Sequence, residues 1–221
     1  MAKARNVVMF KTTLVPVLNL TKAYHIGTLK PSDKGHRGSS LEGHGLSISQ
    51  HPDAWVQIAK LGGFPWWKLN RKEGRFLDYH SLEKTALQAI QHWAEDANLL
   101  IQATRWKVEG YDEEAKDACY CLFNSKAEAE AEASEYEVTP LPVTAPVATE
   151  VLSTRMGFRV DDASALELGV VCWCESQTDL DGVWWNDVFD PYGLSAPRGV
   201  ILPHHVQDWK SKEITPFKTD Y

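Results

Sequence analysis

The chain has 221 residues, of which 43% are hydrophobic and 24% are charged, so it can bury one sizeable core and lacks the composition of a disordered protein. Its formal net charge of −7 excludes the uniformly basic surface with which proteins hold duplex phosphates without sequence preference. The apolar runs are too short for a membrane span or a signal sequence, which predicts a cytoplasmic protein that does not contact a membrane.

The N-terminal quarter predicts short strands around a long loop. Residues 7–18 alternate loosely and contain a proline, which indicates an edge strand or an extended arm. Residues 22–29 predict a strand that ends in a glycine turn, and the polar, glycine-rich residues 30–44 predict a long loop. A further strand over 45–49 runs into a helix, because Pro52 suits a first helical turn.

The middle of the chain alternates between helix and strand patterns. Residues 64–80 are rich in aromatic side chains and predict a loop or a short strand. Apolar residues recur every three or four positions from Leu82 to Ala97, which predicts an amphipathic helix capped by Ser81. Strands are predicted over 99–109 and 118–123, joined by an acidic turn.

The rest of the chain adds one helix and several strands. Ser125 and Glu128 form a capping-box pattern that predicts a helix start. Residues 138–149 carry three prolines and no charge, which predicts an extended segment. Further strands are predicted over 166–175, 181–186 and 198–203. Together these elements predict an α+β fold with a mainly antiparallel sheet and helices between the strands. We expect a single domain over 1–221, with 138–150 as the best candidate for an internal division.

Four cysteines fall in two pairs of equal spacing, within the segments CYC at 119–121 and CWC at 172–174. Residues two apart on a strand share a face, so each pair would present its two thiols together. One interpretation is a four-thiolate zinc site. The other is small buried thiols on two strands, which the spacing favours because paired zinc ligands usually have two to four residues between them.

Three segments carry residue types that suit a nucleotide site. In the first, His25 stands close to Gly27 and Thr28 at the end of a predicted strand. An imidazole can hydrogen-bond a ribose hydroxyl, and a glycine lets the backbone approach a flat amide closely. The alternative is a histidine packed in the sheet and bonded to its neighbours.

In the second segment, Gly45, Ser47 and Ser49 belong to a strand that leads directly into a helix. The free N–H groups of a helix N-terminus suit an anion such as a pyrophosphate. The alternative is a hairpin whose glycines serve the turn and whose serines face water.

The third segment joins acidic and aromatic residues to a strand that starts at Arg198. Trp184 or Trp185 could form the stacking wall for a nicotinamide or adenine ring. Arg198, or Arg37 from the long loop, could pair with a phosphate. The alternative is core tryptophans followed by turns.

The order of these segments resembles the ADP-ribosyltransferase superfamily, particularly the branch of diphtheria toxin, the poly(ADP-ribose) polymerases and the RNA 2′-phosphotransferases. In that family an early strand bears a histidine beside Gly-Thr or Gly-Ser, to which His25, Gly27 and Thr28 correspond. A second strand runs into a helix, as at 45–49. A late strand often begins with a glutamate, where this chain has Arg198.

The resemblance implies an ADP-ribosyltransferase-like fold with a mainly antiparallel split sheet. It also implies an enzyme that transfers ADP-ribose from NAD⁺ to a macromolecular acceptor, either a protein or a nucleic acid, without a metal ion. His25 and Gly27 would hold the nicotinamide riboside, and Asp187 would stabilise the oxocarbenium-like state. A toxin, a phage-defence effector or a phage-borne modifier would fit such a small enzyme, and so would a protein partner that inhibits it.

Two other functions stay open from the sequence. A catalytically degenerate form of the same fold would bind a protein partner, with Arg198 in place of the family glutamate marking the lost chemistry. A histidine-based phosphodiesterase or nuclease would draw on pairs among His25, His36, His44, His51 and His80.

Overall fold

The computed structural model describes residues 15–29, 42–112, 117–136, 138–190, 192 and 195–218. The strands in these ranges are β1 (Val17–Ile26), β2 (Leu46–Ser49), β3 (Trp66–Asp78), β4 (Leu100–Asp112), β5 (Asp117–Phe123), β6 (Leu141–Ala148), β7 (Gly182–Trp185), β8 (Arg198–Ile201) and β9 (Lys210–Ile214). The α-helices are α1 (Pro52–Ile58), α2 (Lys84–Asp96), α3 (Lys126–Tyr136), α4 (Glu150–Met156) and α5 (Ala165–Gln177). The predicted α+β class is confirmed.

Five of the strands close into a small barrel. Their order is β1–β2–β8–β7–β3, and β3 pairs back with β1 to complete the ring. Neighbouring barrel strands are antiparallel except β3 and β7, which are parallel. The strand β9 adds to the first half of β3. The mainly antiparallel pairing agrees with the prediction, whereas the closure of the sheet was not predicted.

The barrel interior is filled by side chains from all five strands. Successive residues of a regular strand point to opposite faces. An irregularity in the pairing of β1 with β3, between Leu20 and Lys22, interrupts this alternation. The buried cluster with members from every barrel strand comprises Leu20, Ala23, Leu46, Ile48, Leu69, Phe76, Trp184, Ile201 and Trp209. The interior is therefore a packed core that leaves no room for a nucleotide among these side chains.

The outer face of the barrel packs against α2 and α5. A second buried cluster joins Val183, Trp185 and Val200 of the barrel to Ile90 of α2 and Trp173 of α5. The strand predicted over 166–175 is wrong, because these residues lie in α5. A helix that is apolar on all sides is buried on all sides and shows no helical periodicity in its sequence.

A separate three-stranded antiparallel sheet has the order β5–β4–β6. Its helix α3 begins with the predicted capping box, since Ser125 N donates to Glu128 Oε2 at 3.2 Å and Glu128 N donates to Ser125 Oγ at 3.2 Å. Leu100 of β4 belongs to a buried cluster with Leu168 and Cys172 of α5. The helix α5 therefore packs against both sheets.

Other local predictions need correction. Residues 64–80 contain the 13-residue strand β3, in which Gly74 is covered by the ring of Trp209. Ser81 does not cap α2: its hydroxyl donates to Asp78 Oδ2 at 2.6 Å, and the helix begins at Lys84. The CWC thiols lie on a helix, where residues two apart do not share a face. Among the described ranges, every helix is too short or too polar to cross a bilayer.

Candidate functional site

One row of residues crosses four strands of the barrel. Ser49 pairs with Tyr24 on one side and with Arg198 on the other, and Arg198 pairs with Trp185. Directly paired residues point to the same face of a sheet, so these side chains share the outer face. The row lies where β7 ends and β8 begins, next to the start of α1.

Arg198 is the centre of a buried charge cluster in this row. Its Nε donates to Asp187 Oδ2 at 2.9 Å, and its Nη2 donates to Glu167 Oε2 at 3.1 Å. Its Nη1 lies 3.9 Å from Oε1 of Glu42, and its Cζ lies 4.5 Å from the ring centroid of Trp185. Three carboxyl groups, which we call the carboxylate cluster, thus surround one guanidinium.

Burial and charge act against each other in the carboxylate cluster. Burial raises the pKa of Glu42 to about 7, and the charge of Arg198 offsets only part of that effect. Burial also raises the pKa of Glu167, although Arg198 lowers it and Asp187 raises it further. Burial lowers the pKa of the Arg198 guanidinium. The negative charges of the three carboxyl groups raise it by more, so the net effect is a raised pKa. Burial therefore makes both glutamates of this cluster harder to ionise than an exposed glutamate, and for Glu42 the pKa reaches about 7.

The carboxylate cluster has a buried side and an accessible side. The side chains of Glu42 and Arg198 are 7% and 8% exposed, whereas those of Glu167 and Asp187 are 25% and 22% exposed. His80 adds to the accessible side, because its Nε2 lies 3.6 Å from Asp187 Oδ1 and its side chain is 44% exposed. A ligand would therefore meet Asp187 and Glu167 first.

Replacing Glu42 with glutamine tests the charge balance of the cluster. The folded-state pKa is about 7 and the ordinary value is 4.5, so the folded chain binds this proton more tightly than the unfolded chain does. The contribution of Glu42 to stability is full below pH 4.5 and is lost as the pH rises to 7. Compared with Glu42→Gln, we expect the unmodified chain to lose roughly 1–3 kcal/mol of unfolding free energy between pH 5 and pH 8.

Denaturant titrations across this pH range provide the measurement, and the exposed Glu213→Gln serves as the matched control. Parallel pH profiles for the unmodified chain and Glu42→Gln would show that the carboxyl group is ionised in both states.

The Ser49 side chain of β2 is engaged within the protein. Ser49 Oγ donates to the carbonyl of Pro197 at 2.8 Å and accepts from His51 N at 2.9 Å. Gly45 lies so close to β8 that a Cβ there would stand 2.4 Å from the carbonyl oxygen of Ile201. The geometry therefore assigns Ser49 and Gly45 to strand packing, which does not fit the pyrophosphate contact predicted for them.

His25 is fixed by the main chain. Its side chain is almost fully buried, with Nδ1 at 2.7 Å from the carbonyl oxygen of Ser47 and Nε2 at 2.8 Å from that of Thr28. The carbonyl of Gly27 accepts from Trp67 Nε1 at 2.8 Å. This arrangement fits the packed-histidine alternative and does not fit the ribose and carboxamide contacts predicted for His25, Gly27 and Thr28.

The two tryptophans of β7 point to opposite faces. Trp184 lies inside the barrel against Gly199, where a Cβ would stand 2.5 Å from Cε3 of the ring. Trp185 is fully buried on the outer face beneath Arg198. Both rings are buried, which does not fit the stacking contact predicted for Trp184 or Trp185. Arg198 is likewise held by carboxyl groups, which do not leave it directed at a phosphate, and Arg37 lies outside the described residues.

Two of the described histidines lie side by side, since the rings of His204 and His205 have centroids 4.2 Å apart. His44 Nε2 contacts Glu175 Oε1 at 3.2 Å, which contributes to a pKa of about 2 for that glutamate. His205 Nδ1 lies 3.1 Å from Asp208 Oδ2, and Arg71 contacts the same aspartate at 3.2 Å. His44 and His205 thus each contact a carboxyl group, whereas His25 contacts backbone carbonyl groups. His36 lies outside the described residues.

The structure thus brings together Asp187, Arg198 and Trp185, and it places His25 and Trp184 on the other face of the sheet. Sequence reasoning missed Glu42 and Glu167. Glu42 stands in the glycine-rich segment that precedes β2, which was a detectable signal, whereas Glu167 lies in the helix mistaken for a strand.

Comparison of the chain with protein-family models, curated proteins and solved structures gave no match.

Proposed function

We propose that the chain is an NAD⁺-consuming ADP-ribosyltransferase that modifies a macromolecule in the cytoplasm, with its chemistry at the accessible side of the carboxylate cluster. The support is twofold. The order of the strand and loop segments resembles that superfamily, and the chain carries a partly exposed carboxyl group, Asp187, that could stabilise a positively charged ribose. The observation that carries the proposal is Asp187, partly exposed and held at 2.9 Å by Arg198.

The reaction breaks the bond between the ribose C1′ and the nicotinamide nitrogen, and the bonding electrons leave with the neutral nicotinamide. Positive charge develops on the ribose, and an adjacent carboxylate stabilises it. In this proposal Asp187 supplies that carboxylate from the loop before β8, which compensates for the arginine at the start of the strand. Arg198 is a positioning residue, because its Nε fixes the Asp187 side chain.

Asp187→Asn tests this role. The amide keeps the shape of the side chain but removes its negative charge, so we expect nicotinamide release to fall by about 100-fold or more. The measurement uses NAD⁺ labelled separately in the nicotinamide and in the adenylate, incubated with the chain and a cell extract. The exposed Asp179→Asn is the matched control, since Asp179 forms only a surface pair with Arg75.

Two results would count against the proposal. The first is an unmodified chain that releases no nicotinamide, labels no macromolecule and shows no NAD⁺ binding by calorimetry. The second is an Asp187→Asn variant that is as active as Asp179→Asn.

A non-catalytic module that binds a protein partner is the second candidate, and a specific observation favours it. The loop that carries Asp187 exposes two large apolar side chains, Val188 at 78% and Tyr192 at 94%. Exposed aromatic residues are frequent anchors of protein interfaces. An inhibitory protein bound at this loop would also be compatible with the enzyme. A chain that binds a protein through Tyr192 but never consumes NAD⁺ would support the module alone.

A further inference from the structure

Lysines lie together on the outer face of the barrel, where β1, β3 and β9 are neighbours. The register sets Lys212 of β9 opposite Lys68 of β3, and Lys68 opposite Tyr24 of β1. Directly paired residues share a face of the sheet, and the alternate residues Ala23 and Leu69 fill the barrel interior. The row of Lys212, Lys68 and Tyr24 therefore points outwards.

A second row and a cavity extend this basic surface. The second row joins Lys210 of β9, Asn70 of β3 and Lys22 of β1. Beside it is a cavity of about 530 Å³ whose only acidic side chain already contacts Arg71 and His205. The cavity is lined by Asn70, Arg71, Lys72, Asp208 and Lys210. We call the two rows and this cavity the lysine face; its lysines are Lys22, Lys68, Lys72, Lys210 and Lys212.

The charges of the lysine face are not neutralised within the described ranges. None of its lysines forms a hydrogen bond or an ion pair there, and neither row contains an acidic residue. Like charges directly opposite each other destabilise a sheet, so the pairing of Lys68 with Lys212 has a cost in stability. In a chain with a formal net charge of −7, a face of one positive sign fits an anionic ligand.

Aromatic rings stand among these lysines. The ring centroid of Tyr24 lies 5.2 Å from that of Phe217, and Lys22 Nζ lies 5.5 Å from the Tyr24 centroid. Phe217 also contacts Trp66 at 5.5 Å and is 36% exposed. Basic grooves with exposed aromatic rings are typical of surfaces that bind single strands, because unpaired bases stack on the rings while cations contact the phosphates. A duplex, a membrane surface or an acidic protein offers no unstacked base to these rings.

We propose that the lysine face binds single-stranded nucleic acid. Lys68, Lys210 and Lys212 contact phosphates, a base stacks against Phe217, and the cavity beside Lys72 takes a further phosphate. RNA and single-stranded DNA share this chemistry. The inference goes beyond the proposed function, because it assigns a ligand to a surface that the transfer chemistry does not use and is tested without NAD⁺.

The double variant Lys68→Gln, Lys212→Gln tests the charge of the lysine face. Binding of fluorescent oligo(U) and oligo(dT) is measured by anisotropy over a series of salt concentrations. Each phosphate contact with a single strand adds about 0.7 to the slope of log K against log salt, so the slope should fall by about 1.4 and the affinity at low salt by about 10-fold or more. The control Lys84→Gln, Lys126→Gln removes the same charge from α2 and α3 and should bind like the unmodified chain.

The stability of the double variant separates binding from a structural role. Removing two lysines that face each other ends a repulsion, so we expect its unfolding free energy in denaturant titration to be unchanged or raised. Weaker binding by a chain that is at least as stable supports the proposal. A loss of stability together with binding would assign these lysines to the sheet and contradict it.

Phe217→Leu tests the preference for single strands. Leucine keeps an apolar contact with Tyr24 and Trp66 but removes the ring on which a base would stack. We expect the affinity for both oligonucleotides to fall by about 5-fold or more while the salt slope stays the same. A difference between oligo(U) and oligo(dT) in the unmodified chain would identify RNA or DNA as the preferred ligand.

Three results would overturn the inference. The first is that neither oligonucleotide binds at low salt. The second is that duplex DNA and heparin bind as tightly as the single strands and Phe217→Leu has no effect, which would make the lysine face a general polyanion surface. The third is that phosphatidylserine vesicles bind in place of oligonucleotides and the double lysine variant loses them. Each result concerns the lysine face alone and leaves the proposed transfer reaction untouched.

Discussion

Replacing Arg198 with methionine is expected to lower the unfolding free energy by about 3–5 kcal/mol at pH 8. The side chain is almost fully buried and faces Glu42, Glu167 and Asp187 at distances of 3.9, 3.1 and 2.9 Å. Methionine keeps much of the aliphatic volume over Trp185 but removes the guanidinium that these three carboxyl groups share. The three carboxyl groups would then repel one another in poorly solvated surroundings without the charge of Arg198.

The same charge repulsion predicts that lowering the pH restores part of the unfolding free energy of Arg198→Met. Since the pKa values of Glu42 and Glu167 are already raised in the native chain, removing Arg198 should let both glutamates take up protons at higher pH. The deficit of Arg198→Met should therefore shrink markedly between pH 8 and pH 5. Adding Glu167→Gln and Asp187→Asn to Arg198→Met should recover part of the lost stability at pH 8.

Guanidinium titrations at both pH values measure the effect, with Arg75→Met as the control. Arg75 pairs with Asp179 at 3.0 Å, and the two side chains are 34% and 69% exposed, so the loss of this pair should cost about 0–1 kcal/mol. Two results would contradict this prediction: an equal loss of unfolding free energy in the two variants, or a loss in Arg198→Met that does not change with pH. Either would show that the stability of the carboxylate cluster does not depend on the charge of Arg198.

Local sequence signals predicted the elements that depend on local physics. The capping box at Ser125 is a contact between residues three apart, and it forms as expected. The strand at 45–49 and the helix after Pro52 follow from alternation and from the fixed backbone of proline. The hairpin of β4 and β5 likewise joins neighbouring segments.

Elements whose surroundings decide their structure were mispredicted. The helix α5 is packed on several sides, so its Val170, Val171 and Trp173 give a continuous apolar run that a buried strand would also show. The strand β3 contains Gly74 in its interior, where glycine weakens a strand. In the structure, β1 and Trp209 lie so close to Gly74 that a larger residue would not fit. Neither fact can be obtained from a short window of sequence.

In the candidate site, too, residues close in sequence were predicted and residues from distant segments were missed. Asp187, Arg198 and Trp185 were identified because they are close in sequence as well as in space. Glu42 and Glu167 come from distant segments, and only the closure of the barrel and the packing of α5 bring them to Arg198. The face of the sheet on which each side chain lies depends on strand register, so the sequence did not predict it.

A methyl group at Gly182 is expected to disrupt the barrel where β7 meets β8. An alanine Cβ at this position would stand 1.7 Å from the carbonyl oxygen of Val200 and 2.9 Å from Cε1 of Phe76. The closest atom belongs to the backbone of a paired strand, so no rotation of a side chain relieves the overlap. Overpacking usually costs about 1–3 kcal/mol, and a backbone clash in a closed sheet should exceed that range.

Gly62→Ala is the matched control, because a Cβ there meets nothing within 4 Å. Its effect should stay within about 1 kcal/mol and can be stabilising, since alanine restricts the unfolded chain. For Gly182→Ala we expect either a loss of several kcal/mol in guanidinium titration or failure to fold, given total stabilities of about 5–15 kcal/mol for folded proteins. Near-native stability for Gly182→Ala would mean that β7 and β8 are not joined as described, and the carboxylate cluster would lose the strand pairing that sets Trp185 beside Arg198.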